Sequence, residues 1–323
     1  MDAIEITEYG DSDVLTLTER EPPAASDGEI RIDVGAAGVN FADIEQRRGT
    51  YPDGPSPSFV PGLEVAGTVA AAPEEAAVDV GDRVAALASS GGYAEVATAP
   101  VERTVPVPDS LSLREAVAIP VQGLTAHNAL HEWGGLETGE CVLIHAAAGG
   151  VGSLAVQLAA VADAEVFATA STDAKRDLAR ELGADHAIDY TETDVAAAID
   201  DRTDGDGVDL VLDGVGGDAF AASLEALAPA GRIVSFGMAS SSVPTVATPR
   251  LFFENQSVIG YHLEHALEHV PDRVHTALPE LTEHLAAGRI EAVVDETFPL
   301  SAAARAHDAL ADRETVGKVV LEP

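Results

Sequence analysis

The stretch CVLIHAAAGGVGSLAVQLA, Cys141 to Ala159, decides how the rest of the chain is read. It opens as an apolar run, breaks into alanine and glycine, and resumes with apolar residues at helical spacing. A strand ending near His145 and a helix beginning near Gly152 are predicted, with AAAGGVG between them. Against the pattern G-x-G-x-x-G the turn reads Ala147-x-Gly149-x-x-Gly152, with alanine in the first place. Small residues there let the backbone approach a pyrophosphate, and a helix N-terminus presents free N–H groups to it. Gly149, Gly150, Val151 and Gly152 are therefore candidate dinucleotide-binding residues, Gly152 also permitting close packing of helix on strand. The competing reading is a tight turn that needs glycine for its backbone angles alone.

Working outward, strand and helix patterns alternate with short connections. AEVFATA, DHAIDY, GVDLVLDGV, RIVSFG and QSVIGYH read as strands, and DAKRDLARELG and AFAASLEALAPAG as helices. That alternation predicts a parallel, doubly wound sheet. The first 120 residues differ: short strands such as EIRIDVGAAGVN, LEVAGTVAAA, GDRVAAL and YAEVAT stand between Gly, Pro and Asp. A helical stretch then starts at a Ser112 cap with Glu115 three residues on. The last 60 residues return to mixed elements. The fold class is α/β with a separate β-rich part.

The end of the second strand of the alternating region bears on which dinucleotide is bound. A carboxylate there usually takes the ribose hydroxyls of NAD. Here AEVFATA ends at Ala170 and is followed by Ser171, Thr172, Asp173, Ala174 and Lys175. Two hydroxyls and a cation suit a 2′-phosphate and point to NADPH, with Lys175 one of only two lysines in the chain. The competing reading makes Ser171 or Thr172 a helix cap and Lys175 a solvated residue.

Composition excludes several classes. The chain has 323 residues and a formal net charge of −37, with acids spread through every segment. Such a surface repels nucleic acid and anionic membranes and reads as salt adaptation. The single cysteine, Cys141, excludes an intrachain disulfide and a four-cysteine zinc site. Neither a signal core nor a membrane-spanning run is evident, so a cytoplasmic protein is expected.

The chain resembles the zinc-free medium-chain dehydrogenase/reductases of the quinone oxidoreductase type, the group that includes zeta-crystallin. AAAGGVG is similar to that group's cofactor loop, and GVNFADIEQRRGTYP (Gly38 to Pro52) resembles its N-terminal signature. PGLEVAGTV, GDRV, GGYAEV, GLTAHNAL, VSFG and the terminal GKVVLEP match in order along the whole chain. The resemblance implies a discontinuous GroES-like catalytic domain, residues 1–120 and 262–323, around a Rossmann NADPH-binding domain, residues 121–261, with the cofactor in the cleft between them. Zinc alcohol dehydrogenases carry a cysteine where Asn40 stands and a histidine where Leu63 stands, so no catalytic zinc is expected. Glu64 reads as a structural hydrogen-bonder. His262, His265 and His269 read as a solvated helix face rather than a metal site.

The resemblance also implies hydride transfer from NADPH to a quinone, catalysed by positioning in a dry cleft. Asn40 is the candidate polar contact to the nicotinamide ribose or the substrate, and Tyr51 a candidate wall or oxyanion donor. Each has a plainer reading, Asn40 as a turn residue and Tyr51 as packing beside Pro52. Thr125, Tyr190, Phe236 and Gly237 are placed near the cofactor by the same resemblance. Reduction of an activated C=C bond in an enone or enoyl thioester, and NADPH binding without turnover, stand as alternative activities. A homodimer is the expected assembly.

Overall fold

A computed structural model describes residues 1–89 and 91–323. The chain divides into two compact units, Met1–Val121 with Thr282–Pro323, and Gln122–Leu281.

The unit built from both chain ends is β-rich. Among the described residues, its main sheet runs Val294–Pro299, Lys318–Glu322, Glu29–Val39, Glu64–Ala71, Arg83–Leu87 and Thr104–Pro106, with Val96–Pro100 also paired to Glu29–Val39. The first two strands pair in parallel and the remaining pairs are antiparallel. In Glu29–Val39, the buried Ile30 and Ile32 alternate with half-buried Glu29 and Arg31 and exposed Asp33, whereas Ala36 to Val39 are buried without interruption. Alternation marks a strand with one wet face, and an unbroken buried run marks one covered on both. Helix Phe41–Arg48 follows at once, stopped by Gly49 in the left-handed conformation at φ 73°.

The central unit holds a six-stranded parallel sheet. Its order is His186–Asp189, Glu165–Ala170, Cys141–Ile144, Val208–Asp213, Leu227–Ser235, Ser257–Gly260. Counted along the chain this is 3-2-1-4-5-6, the order of a doubly wound dinucleotide-binding sheet. Leu143, Phe167, Val211 and Ile233 are fully buried, as strands covered on both faces require.

The helical stretch after Ser112 is present. Ser112 Oγ accepts the Glu115 N–H at 3.3 Å, and Glu115 Oε2 accepts the Ser112 N–H at 2.7 Å. The run then continues through two wide turns, Ile119–Gly123 and Asn128–Trp133, around Leu124–His127.

The boundary expected at residue 262 falls instead at residue 282. Helices Leu263–His269 and Pro271–His275 go with the central unit. Val274, Ala277 and Leu281 are fully buried, Asn128 Nδ2 donates to the Val274 carbonyl at 3.3 Å, and His127 Nε2 lies 3.2 Å from Glu280 Oε2. These contacts pin the segment to the helical run at 124–133, and no break in composition at residue 262 or 282 marks the change.

Candidate active site

In the central unit the strand order reverses between Cys141–Ile144 and Val208–Asp213, and ligands of such sheets bind at the carboxyl ends on either side of that point. The glycine turn lies there. Helix Gly150–Val161 begins two residues earlier than the sequence predicts, with Gly149 as its N-cap. A Cβ at Gly152 would overlap the Ala146 carbonyl oxygen and stand 2.8 Å from Ala147 Cα, so the close helix–strand approach requires glycine. A Cβ at Gly150 would overlap the Gln122 amide. The backbone must be bare at Gly152, where a Cβ would meet backbone, whereas Gly150 faces only the end of the Gln122 side chain, and the N–H groups that open the helix have no intrahelical acceptor. This geometry fits a dinucleotide pyrophosphate.

The neighbouring turn is shaped by Asp213, a fully buried carboxylate whose Oδ1 accepts the N–H groups of Val215 at 2.8 Å and Gly216 at 2.9 Å. Phe236 packs where a Cβ on Gly214 would fall, 2.7 Å from its Cε2, and a Cβ on Gly237 would lie 2.8 Å from the Gly214 carbonyl oxygen. Phe236 and Gly237 thus line the same end of the sheet as Gly149–Gly152. Thr125 is buried in helix Leu124–His127. Beneath the glycine turn, His145 is buried with Nδ1 at 3.0 Å from Thr169 Oγ1 and Nε2 at 2.8 Å from Ser223 Oγ. The Ser223 hydroxyl donates to the Ala219 carbonyl, so it accepts from His145, which therefore carries its proton on Nε2. Burial lowers the His145 pKa and keeps the ring neutral.

Strand Glu165–Ala170 ends without a carboxylate, and Ser171 is half-buried just beyond it. Thr172 caps helix Asp173–Glu181, its side chain accepting the Lys175 N–H at 3.3 Å. The hydroxyl is therefore held by the helix start, which was the plainer of the two readings for this residue. Arg176 adds a second cation beside Lys175, paired with Asp173 and, at 2.6 Å, with Asp189. Tyr190 follows the third strand and is 42% exposed.

Asn40 belongs to the other unit and is committed to a buried network. Its Nδ2 donates to Glu64 Oε1 at 2.8 Å, and its Oδ1 accepts from Lys318 Nζ at 3.0 Å. Lys318 also pairs directly with Glu64 Oε1 and donates to the Val39 carbonyl at 3.2 Å. Glu64 Oε2 accepts the Val121 N–H at 2.7 Å. The structural role expected of Glu64 is what its partners give it, and the ammonium of Lys318 occupies ground beside Asn40 that would oppose a metal cation. Below lies a second polar group. Asp43 Oδ2 accepts the Asn40 N–H at 2.8 Å and the Tyr93 hydroxyl at 3.1 Å, and that hydroxyl is 3.0 Å from His307 Nε2. Burial raises the Asp43 pKa to about 7 and lowers that of His307 to about 3. Tyr51 sits in the turn after helix Phe41–Arg48, half-buried, its N–H donating to the Glu45 carbonyl at 3.2 Å.

Sequence reasoning missed Gln122, His145 and Lys318. Lys318 had a visible signal, being one of two lysines in a chain that otherwise uses arginine. Gln122 and His145 carried none.

A bare glycine turn at the switch point of a 3-2-1-4-5-6 sheet, in a chain with a GroES-like β-rich unit, puts this protein among the dinucleotide-binding oxidoreductases. Residues 26–109 match the alcohol dehydrogenase GroES-like domain, and residues 150–283 match the zinc-binding dehydrogenase family. The chain is 36% identical to the quinone oxidoreductase of Pseudomonas aeruginosa, covering 99% of each, and 35% identical to a probable quinone oxidoreductase of Schizosaccharomyces pombe, covering 98% of this chain and 96% of that one. It superposes on the Escherichia coli quinone oxidoreductase complexed with NADPH at a TM-score of 0.94, with 32% identity and full coverage of both chains. The chain belongs to the medium-chain dehydrogenase/reductase family, in its quinone oxidoreductase group.

Proposed function

We propose that this enzyme is a zinc-independent, NADPH-dependent reductase whose acceptor is a quinone. The observation that carries the cofactor choice is the end of strand Glu165–Ala170, which passes to Ser171, Thr172 and Lys175 with no carboxylate closing it. A carboxylate there would favour ribose hydroxyls and repel a 2′-phosphate. The relatives named as quinone oxidoreductases, matched over their full length, support the acceptor.

The residues divide the work. The N–H groups at Gly150, Val151 and Gly152 hold the pyrophosphate, and Ser171, Thr172 and Lys175 take the 2′-phosphate. Bound NADPH supplies the hydride. A quinone disperses the incoming charge over its conjugated ring, so this chain needs no metal at Asn40 and Leu63. Glu64 and Lys318 fix the orientation of the Asn40 amide, which contacts the nicotinamide ribose or the acceptor, and Tyr51 forms a wall of the acceptor site. Assembly as a homodimer is supported by the exposed ring pair of Phe252 and Phe253, 62% and 75% accessible with centroids 4.6 Å apart. They precede strand Ser257–Gly260, at the edge of the parallel sheet.

Dissociation constants for NADPH and NADH, in the wild type and in Lys175→Ala, test the cofactor reading. Wild type should prefer NADPH, and the variant should lose about 1.5–3 kcal/mol of that preference, the worth of a hydrogen bond to a charged group. Equal affinities in the wild type would overturn it. NADPH oxidation against a series of quinones and enones tests the acceptor, and faster turnover of enones would exclude a quinone as the preferred substrate. Activity that vanishes on chelation and returns with zinc would refute metal independence.

A further inference from the structure

Helix Leu263–His269 carries three side chains that the reductase reading leaves without a role. His265, Glu268 and His269 are all exposed, and each offers a ligand atom within 4.8 Å of the others. Spacings of three and four residues put them on one helix face. The rings of His265 and His269 stand with centroids 4.2 Å apart. We propose that His265, Glu268 and His269 form a binding site for a divalent transition-metal cation, with two imidazole nitrogens and one carboxylate oxygen as ligands.

The ring of His269 is already set for this. Its Nδ1 lies 3.0 Å from the His265 carbonyl oxygen. A ring nitrogen facing a carbonyl carries the proton, so the lone pair of His269 is left on Nε2, the usual arrangement of a metal-bound imidazole. Glu268 Oε2 stands 3.8 Å from the same Nδ1, within reach of the site by a change of rotamer. Ligand atoms at about 2.1 Å around a tetrahedral ion are about 3.4 Å apart. The three groups must therefore close further on the ion by rotating their side chains, which exposed residues can do without moving the helix. The helix is firm beneath them: Ala266 and Leu267 are buried, and His262 Nδ1 accepts the His265 N–H at 3.2 Å at its start.

The donor set selects the ion. Imidazole suits zinc, copper and nickel, whereas magnesium and calcium prefer oxygen. A formal charge of −37 concentrates all cations near the surface without choosing among them. Selection comes from the two histidines. Water completes the coordination, and the site is distinct from the position of Asn40 and Leu63.

The test is calorimetric titration of the full-length protein in molar potassium chloride with Zn(II), Ni(II), Cu(II) and, as a control for diffuse binding, Mg(II). One saturable site per chain is expected, tightest for copper, with none for magnesium. His265→Ala and His269→Ala should each weaken zinc binding at least tenfold, and His186→Ala should leave it unchanged. Circular dichroism establishes that the variants are folded, and NADPH oxidation by them should match the wild type. Copper bound to the wild type should show hyperfine coupling to two imidazole nitrogens in electron paramagnetic resonance. Equal zinc affinity in the wild type and the His265→Ala/His269→Ala double variant would overturn the site, as would the lack of saturable zinc or copper binding.

Discussion

Lys318 and Glu64 are 254 residues apart in sequence and form an ion pair with side chains only 1% and 0% exposed. A buried pair is weak evidence of net stabilisation, but removing one partner strands a charge. Lys318→Met should therefore cost about 3–5 kcal/mol in chemical denaturation, and adding Glu64→Gln should restore part of it. The Asp43 and His307 pair makes a pH prediction. Asp43 has a usual pKa of 3.8 and a folded value of about 7, so between these the folded state keeps a proton the unfolded chain has lost, and its contribution falls as pH rises. His307 moves from 6.5 to about 3, so in that window the unfolded chain holds the extra proton and its contribution falls as pH falls. The opposed slopes offset each other in the wild type where the windows overlap. In His307→Asn, Asp43 is left unopposed. Relative to wild type, the variant should gain up to ~1.4 kcal/mol per pH unit as pH drops from about 6.5 to about 4. Denaturation curves at constant molar salt measure this, and a difference that does not change with pH would show that His307 does not titrate as described.

At the scale of an element, helix Gly150–Val161 is held against its strand by missing side chains. Gly149 and Gly152 separate folding from ligand contact. A Cβ at Gly149 meets only the Ala146 carbonyl oxygen, at a tight 3.2 Å and an ordinary φ of −82°, so Gly149→Ala should cost less stability than Gly152→Ala. Gly152→Ala sets a methyl group against backbone that cannot rotate away, and the helix must shift. Its expected cost is about 1–3 kcal/mol, as for overpacking elsewhere, together with a marked rise in the dissociation constant for NADPH. Thermal denaturation and fluorescence titration of the two variants side by side check the contrast. Helix Asp173–Glu181 shows how one residue can satisfy two readings: Thr172 caps it through a hydroxyl oxygen that retains a proton to donate.

At the scale of the molecule, charge dominates. The 55 acidic residues outnumber the 18 basic ones. The folded state crowds these charges more than the unfolded chain does, and the screening length grows to about 30 Å at 0.01 M salt. Domain stabilities of about 5–15 kcal/mol leave little room for such repulsion. The melting temperature should rise steeply from dilute buffer to molar potassium chloride, and comparison with sulfate at equal ionic strength separates screening from strengthened apolar burial. A flat response would remove salt adaptation as the reason for the acidic surface. Light scattering in high salt checks the homodimer: replacing Phe252 and Phe253 together by serine should shift the wild-type dimer toward monomer, and a monomeric wild type would refute the assembly.

Much of this was legible in the sequence because it is local. The period of apolar residues marks strand and helix, the Ser112–Glu115 spacing marks a helix start, and AAAGGVG marks a turn where backbone must stay bare. Each signal lies within a few residues of what it specifies, and together they determined the α/β class, the alternating region and the glycine turn. What only the tertiary structure decided depends on partners distant in the chain. Asn40 reads in the sequence as a polar contact to the nicotinamide ribose or the substrate, and nothing there shows that Glu64 and Lys318 reach it from two other strands and set its orientation. The unit boundary moved to residue 282 because buried contacts to the 124–133 run, rather than any change in composition, hold the helices after residue 262. Gln122, just ahead of GLTAHNAL, covers Gly150 from the preceding helical run, a contact that no local spacing marks. Long-range pairing leaves no period in a sequence, because its partners are set by packing, which brings together residues that chain order keeps apart.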